Sequence, residues 1–272
     1  MQSVDIYFYK WYNGFMKLKG CIDCFLLDLD GTVYLGGKLI DGAKDALARM
    51  KAQGKVIFLT NNSSATKKYY VDKLNRLGIE ATEDNVYTSA NATADWIMAH
   101  KPDARVYLLA SPEVTEEFIS AGVNVTDIQP DTVVLTYDKT LSYDKLVKAC
   151  KLIAGGAYYI ATHPDMTCPS EDGYLPDIGS TILLIEGTTG IRPHLICGKP
   201  HKVMAECILS RTGAAPSRTA MVGDRLYTDM RFGIDSGIRS VLTLTGETDM
   251  AAYLSSGLKV DKIVNSIAEW DI

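Results

Sequence analysis

The chain has 272 residues, of which 47% are hydrophobic and 22% are charged, values typical of a globular protein that buries a core. Its 28 Lys and Arg residues against 33 Asp and Glu residues give a formal net charge of −5. An acidic chain without a basic run disfavours nucleic acid as a partner, because phosphate neutralisation dominates that binding. No apolar stretch approaches the length of a membrane span, so we expect no membrane partner.

The N-terminal segment and the cysteines indicate a location. Residues 1–17 form an aromatic extension that carries charged residues, and they lack the apolar centre of a signal peptide. The six cysteines are scattered, which disfavours a disulfide framework. Cys21 and Cys24 form a C-x-x-C pair, but no second pair completes a zinc site, so we interpret both as structural. We expect a reducing, cytoplasmic location.

Apolar runs and amphipathic segments alternate along the first hundred residues. Short apolar runs at 24–27 and 56–59 predict buried strands. The stretches 42–53 and 65–77 carry apolar residues at helical spacing and end near a glycine. Continuous apolar strands separated by such helices predict a parallel sheet that is covered on both faces. The expected fold class is therefore α/β.

The same alternation continues through the middle and the end of the chain. It predicts strands near 106–109, 132–136, 158–161, 219–222 and 240–244, and a helix over 202–211. Pro and Gly residues punctuate the sequence near 101–103 and 187–193, as expected at the two junctions of an inserted domain. We predict a core formed by 1–100 and 192–272, with an inserted α/β cap domain at 101–191.

Two carboxylates follow the first predicted strand. Asp28 and Asp30 are two residues apart, so their side chains can share a face at the carboxyl end of the strand, where α/β sheets bind ligands. Gly31 then allows a sharp turn and a close approach of the backbone to a phosphate. Two Asp residues near a turn are also common in loops of no chemical function, so this motif alone leaves both readings open.

Three further loops carry polar residues at similar strand-to-helix junctions. Thr60-Asn61-Asn62-Ser63 follows the second strand, and Gly198-Lys199-Pro200 places a cation just before a helix. The stretch from Gly223 to Asp229 adds Asp224 and Asp229 after a third strand. Four such loops in one chain favour a shared catalytic site over coincidence.

This combination resembles the haloacid dehalogenase (HAD) superfamily. Asp28-Leu29-Asp30-Gly31-Thr32 is similar to its first motif, Thr60 to its second, Lys199 to its third, and Asp224 with Asp229 to its fourth. The chain further resembles the 4-nitrophenylphosphatase or NagD-like branch with an α/β cap (subclass IIA). That likeness includes Ala161-Thr162-His163-Pro164-Asp165 and Gly179-Ser180, with His163 where the branch more usually has Asn.

The resemblance implies a fold, a reaction and a division of roles. The fold would be a Rossmann-like doubly wound parallel sheet with an inserted cap, and the reaction a Mg²⁺-dependent hydrolysis of a small-molecule phosphate ester through an aspartyl-phosphate. Asp28 would be the nucleophile and Asp30 the general acid and base. The implied metal site comprises Asp28, Asp224, the backbone carbonyl of Asp30, and Asp229 through water. The implied phosphate-binding residues are Thr60, Asn61, Lys199 and Gly31.

Several alternatives stay open from the sequence. The same intermediate serves a phosphotransferase or mutase, and a non-catalytic regulatory protein could use the same scaffold. The segment 163–179 is expected to be a polar loop of the cap, in which His163 and Asp165 contact the substrate; a solvated surface loop is the alternative. A homodimer formed through the cap is a further arrangement that the sequence leaves open.

Overall fold

The computed structural model describes residues 21–170 and 173–270. The predicted N-terminal extension, residues 1–17, lies outside the described residues, as do Glu171 and Asp172 of the cap segment. The described residues form fourteen strands, β1 to β14, which in chain order are Cys24–Asp28, Tyr34–Leu35, Lys38–Leu39, Lys55–Thr60, Val86–Thr88, Val106–Leu109, Thr132–Leu135, Tyr158–Ala161, Thr167–Ser170, Gly173–Pro176, Leu195–Ile196, Thr219–Gly223, Arg239–Thr243 and Lys262–Val264.

The same described residues form nine α-helices, α1 to α9, which are Ala43–Gln53, Lys67–Arg76, Ser89–His100, Pro112–Ser120, Tyr143–Ala154, Ile178–Thr189, Val203–Thr212, Arg231–Asp235 and Met250–Ser256. Several of them begin at side chains that accept a hydrogen bond from the first helical turn. Thr88 forms a capping box at the start of α3, Ser142 caps α5, and Asp177 caps α6. These short polar side chains satisfy N–H groups that have no partner within the helix.

The described chain divides into two compact units. The first contains the described parts of Met1–Leu59, Lys73–Asn85 and Leu209–Ile272, and the second contains Thr60–Asp72 and Val86–Ile208. The predicted cap, 101–191, falls entirely within the second unit. The limits of the cap at residues 101 and 191 stay a prediction.

The first unit is built on a parallel sheet. Five of its strands lie in the order β14-β13-β12-β1-β4, and every neighbouring pair is parallel. Strand β1 is central, and its residues Cys24, Phe25, Leu26 and Leu27 are fully buried. Near the chain end, Trp270 packs edge-on against Phe25 with ring centroids 5.4 Å apart. The apolar run at 24–27 is therefore the middle of a core, as predicted.

The second unit has its own parallel sheet and its own core. Four strands lie in the order β11-β8-β7-β6, all parallel. Helices α5 and α6 contribute Ala149, Ile153, Ile182 and Ile185 to the apolar cluster that this sheet supports. This arrangement confirms the α/β fold class for both units.

Predicted and observed elements differ mainly in the segment 163–179. The other predicted helices and strands are present within about two residues of their expected limits. The segment 163–179 is not a continuous loop, because β9 and β10 form an antiparallel hairpin within it. Among the described residues, no helix is both long enough and apolar enough to cross a membrane.

Candidate active site

Three carboxylates converge at the carboxyl edge of the first unit's sheet. Asp28 is the last residue of β1, and Asp224 directly follows the neighbouring strand β12. Asp229 lies on a single π-helical turn, Leu226–Met230, that leads into α8. One oxygen from each of the three carboxylates lies within 4.8 Å of the others. Adjacent parallel strands thus bring together residues that are far apart in the sequence.

Asp224 is a buried member of this cluster. Its Oδ2 accepts a hydrogen bond from the backbone N–H of Glu247 at 2.7 Å, whereas its Oδ1 is buried and has no hydrogen-bond partner among the described residues. Desolvation, reinforced by the Asp229 charge, raises the pKa of Asp224 to about 6; the Glu247 N–H and the Arg225 charge oppose that rise. A buried, unpartnered carboxylate oxygen beside two further carboxylates fits a divalent cation with hard oxygen ligands.

Two glycines leave the space that the Asp224 carboxylate occupies. A Cβ atom added at Gly31 or at Gly246 would overlap that carboxylate. Gly31 also has a φ of +88°, in the left-handed region that favours glycine. Thr245 Oγ1 donates a hydrogen bond to the carbonyl oxygen of Gly31 at 2.5 Å, which ties the turn after β1 to the segment after β13. The structure thus shows a close approach of Gly31 to a carboxylate, and the expected approach to a phosphate stays a prediction.

Asp30 has different surroundings from the three clustered carboxylates. It is an exposed residue, yet desolvation by its neighbours raises the pKa of its carboxyl, against the opposing effects of Lys73, the Gly36 N–H and Arg225. The Lys73 ammonium lies 3.8 Å from the centroid of the Tyr34 ring. Asp30 is thus suited to hold a proton at a pH where an ordinary Asp has lost it.

The second unit carries the remaining predicted phosphate-binding residues. Thr60 Oγ1 accepts a hydrogen bond from the Asn62 N–H at 3.1 Å. Asn61 Oδ1 accepts from the Lys199 N–H at 2.9 Å, and Asn61 Nδ2 donates to the Lys199 carbonyl oxygen at 2.8 Å. Lys199 is only 2% exposed. The second and third motifs therefore meet through Asn61, and their contacts with phosphate stay predictions.

The two predicted cap residues also lie in the second unit. His163 is fully buried, and its Nε2 lies 3.1 Å from Oδ1 of the buried Asp177. Its Nδ1 lies 3.3 Å from the hydroxyls of both Ser89 and Thr162. Asp165 accepts a hydrogen bond from Asn61 Nδ2 at 3.2 Å. His163 is therefore held inside the fold rather than displayed on a loop, and substrate contact by either residue stays a prediction.

Some residues that act on the predicted site residues of the two units were not predicted from the sequence. Glu247, whose N–H binds Asp224, and Lys73, which acts on Asp30, were not singled out. Gly246-Glu247 follows strand β13 at the same sheet edge, and that position was a usable signal. Lys73 on α2 and Ser89 on α3 carry no comparable signal, because each resembles an ordinary polar residue on a helix.

Comparisons with known proteins agree with this geometry. A family model described as haloacid dehalogenase-like hydrolase matches residues 25–124, and a second, HAD-hydrolase-like, matches residues 196–270. A 5′-nucleotidase of Bacillus subtilis is 35% identical over 247 residues, 90% of this chain and 96% of that protein. A dihydroxyacetone phosphatase of Corynebacterium glutamicum is 35% identical over 253 residues, 91% of each chain.

The solved structures include a similar enzyme. The crystal structure of 4-nitrophenylphosphatase from Thermotoga maritima superposes with a TM-score of 0.90 at 40% identity, covering 93% of this chain and 98% of that one. The chain therefore belongs to the haloacid dehalogenase-like hydrolases. Within them it is a phosphatase of the 4-nitrophenylphosphatase or NagD-like branch, acting on small phosphate esters.

Proposed function

We propose that this phosphatase is a Mg²⁺-dependent phosphomonoesterase that hydrolyses a small phosphorylated metabolite through an aspartyl-phosphate on Asp28. The observation that supports this most strongly is the cluster of Asp28, Asp224 and Asp229, with its buried and unpartnered Asp224 oxygen. Asp28 and Asp224 would hold Mg²⁺ together with the carbonyl oxygen of Asp30, and Asp229 would orient its water ligands. A phosphate monoester repels a carboxylate nucleophile, and Mg²⁺ held by these residues would offset that negative charge.

The first chemical step belongs to Asp28 and Asp30. An Asp28 carboxylate oxygen forms a bond to phosphorus while the bond between phosphorus and the ester oxygen breaks. Asp30 gives its proton to that leaving oxygen, a role that its raised pKa supports. Thr60 and Lys199 hold and neutralise the phosphoryl oxygens, in the roles that the family resemblance gives them.

The second step returns the enzyme to its starting state. Asp30, now ionised, takes a proton from water, and the water oxygen attacks phosphorus. The bond between phosphorus and Asp28 breaks, and inorganic phosphate leaves. For the metabolite, the names of the relatives suggest two classes to test first, nucleoside monophosphates and triose phosphates.

The test is the Asp28→Asn variant assayed with Mg²⁺ on a panel of phosphate esters. We expect turnover to vanish while the melting temperature changes little, because the change deletes the nucleophile at nearly constant volume. Asp41→Asn makes the same chemical change at an exposed position of the first unit, and it should retain full activity. Appreciable turnover by Asp28→Asn would mean that another group attacks phosphorus. Phosphate release by the wild type without any acceptor distinguishes a hydrolase from a transferase.

The location and the assembly of the protein are proposed on separate grounds. All six cysteines lie within the described residues and are free thiols, which supports a reducing, cytoplasmic compartment. Burial raises the pKa of Cys24 to about 11, so this residue of the C-x-x-C pair is a poor nucleophile. A homodimer formed through the cap stays a hypothesis, which sedimentation of the purified protein tests.

A further inference from the structure

The side-chain NH₂ group of Asn61 donates both of its hydrogens to groups of the protein itself. Its Oδ1 accepts from the Lys199 N–H at 2.9 Å. One hydrogen on Nδ2 points to the Lys199 carbonyl oxygen at 2.8 Å, and the other points between the two carboxylate oxygens of Asp165, each 3.2 Å away. A primary amide has only two N–H hydrogens, and both are engaged. The Asn61 side chain thus hydrogen-bonds both the N–H and the carbonyl oxygen of Lys199.

The surrounding residues leave room for these hydrogen bonds and hold Asn61 in place. A Cβ atom added at Gly198 would lie 2.7 Å from Asn61 Oδ1 and 2.7 Å from the Thr162 carbonyl oxygen. The amide can therefore approach the backbone only because residue 198 is glycine. The backbone carbonyl of Asn61 accepts a hydrogen bond from Ser89 Oγ, and Asn61 is only 6% exposed. Both the backbone and the side chain of Asn61 are held.

Asp165 reinforces the amide orientation that the N–H and carbonyl oxygen of Lys199 also favour. A carboxylate only accepts hydrogen bonds, so it selects the orientation with the NH₂ group toward Asp165 and the Asn61 oxygen toward the Lys199 N–H. The flipped amide would place its oxygen against the carboxylate and its NH₂ group against another N–H. Removing the Asp165 charge therefore weakens the preference for the amide orientation that hydrogen-bonds the Lys199 backbone.

We propose that Asn61 is a positioning residue that fixes the backbone of Lys199, and that Asp165 acts through Asn61 rather than by touching the substrate. This inference rests on the proposed function, in which the Lys199 ammonium neutralises the phosphoryl group. In this proposal Asn61 and Asp165 together position the backbone of Lys199. Both residues then affect every phosphate ester equally, because all of them present the same phosphoryl group to Lys199.

The test compares Asp165→Ala and Asp165→Asn with wild type on two esters whose leaving groups differ, 4-nitrophenyl phosphate and glycerol phosphate. We expect kcat/KM to fall by the same factor for both esters, and inhibition by inorganic phosphate to weaken. Half-saturation by Mg²⁺ should stay within about twofold of wild type. A substrate contact by Asp165 would instead change the two esters by different factors, and that result overturns the inference.

A second experiment exchanges the hydrogen-bond donor and the acceptor between residues 61 and 165. Asn61→Asp cannot donate to Lys199 or to Asp165, so kcat/KM should fall by about 10², the scale that a misplaced catalytic group can cost. In the double variant Asn61→Asp with Asp165→Asn, residue 165 can again donate to residue 61, although residue 61 still cannot donate to the Lys199 carbonyl oxygen. About tenfold of the lost kcat/KM should therefore return. Asn124→Asp adds the same charge at an exposed site of the second unit and should change nothing. Absence of any rescue in a folded double variant also overturns the inference.

Lys199→Ala separates this inference from the proposed function. If that variant leaves phosphate inhibition unchanged, the role assigned to Lys199 in the proposed function is wrong. If it weakens phosphate inhibition while the Asp165 variants do not, only the positioning role of Asn61 and Asp165 is wrong. Should Asn61→Asp fail to fold, the Asp165 variants decide alone, because Asp165 is only partly buried.

Discussion

At the scale of single residues, Asp28 and Asp30 illustrate how two neighbouring carboxyls come to differ. Asp28 lies among carboxylates that can share a cation, whereas Asp30 lies outside that cluster, and desolvation raises its pKa. Opposite environments of this kind commonly divide nucleophile from acid. The charge of Lys73 favours ionised Asp30 and so limits how far its pKa rises.

Replacing Asp30 should therefore slow chemistry without affecting the metal. We expect Asp30→Asn to lower kcat by about 10² or more, the usual scale of general acid–base catalysis, because the amide cannot protonate the leaving oxygen. Mg²⁺ half-saturation should hardly change, since the ligand expected from residue 30 is its backbone carbonyl. Steady-state kinetics across a Mg²⁺ titration measures both quantities. Loss of Mg²⁺ activation in this variant would show that the two Asp roles are wrongly divided.

Proton competition at Asp224 gives the metal site a pH dependence. The pKa of this carboxyl is about 6 in the metal-free protein, above its ordinary value, so the folded state binds a proton that the unfolded chain releases. Stability of the metal-free protein should accordingly fall as pH rises from about 4 to 6, and Mg²⁺ should restore it above pH 6. Melting temperatures with EDTA or with Mg²⁺ at several pH values test this. A Mg²⁺-induced rise that is no larger at pH 7.5 than at pH 5 would contradict it.

At the scale of elements, helix α6 offers two glycines with opposite expected responses. A Cβ atom added at Gly179 would lie 2.5 Å from the Pro164 carbonyl oxygen and 2.9 Å from that of Asp165. Backbone cannot yield easily, so Gly179→Ala should destabilise the protein by about 1–3 kcal/mol. At Gly187 an added Cβ meets nothing within 4 Å, so Gly187→Ala should stabilise it by about 0.5–1 kcal/mol through helix propensity.

Denaturant unfolding of the two variants measures both effects in one helix. The matched pair isolates the contact at residue 179, because the chemical change and the helix are the same in both. Equal stability changes in the two variants would show that the 163–166 segment moves away from α6 at little cost. The Gly179 N–H also donates to the Asp165 carbonyl oxygen at 2.7 Å, so Gly179→Ala should additionally lower activity through the Asn61–Asp165 contact.

Elements with strong periodicity could be predicted from the sequence, and those without it could not. Helix α1 was expected from Ala43, Ala46, Leu47 and Met50, and all four are buried. The hairpin of β9 and β10 was missed because its strands are only four residues long, each contains a proline, and the described part of β10 is exposed throughout. Such a strand lacks the buried face that creates a sequence pattern.

At the scale of the whole molecule, the sequence predicted which side chains gather better than it predicted what they touch. Asp28, Asp224 and Asp229 could be grouped because each follows a predicted parallel strand, and such strands end at one edge of a sheet. The hydrogen bonds of Asn61 to the Lys199 backbone could not be predicted, because they depend on Gly198 and Asp165, which come more than a hundred residues later in the chain. Burial of His163 against Asp177 was missed for a different reason, because both residues lie in a segment that was expected to be a polar loop.

The central place of strand β1 has a consequence for protein synthesis. Cys24 pairs on one side with Lys55 and on the other with Thr219. The pairing of β1 with β12 can therefore form only after most of the chain has been synthesised. The second unit's sheet, by contrast, uses strands between Val106 and Ile196 and can form earlier. We expect released chains that end near residue 210, just beyond the second unit, to resist protease in the second unit but not in the first. Chains that extend beyond Val264 should resist in both, and the carboxylate cluster would be among the last features of the enzyme to assemble.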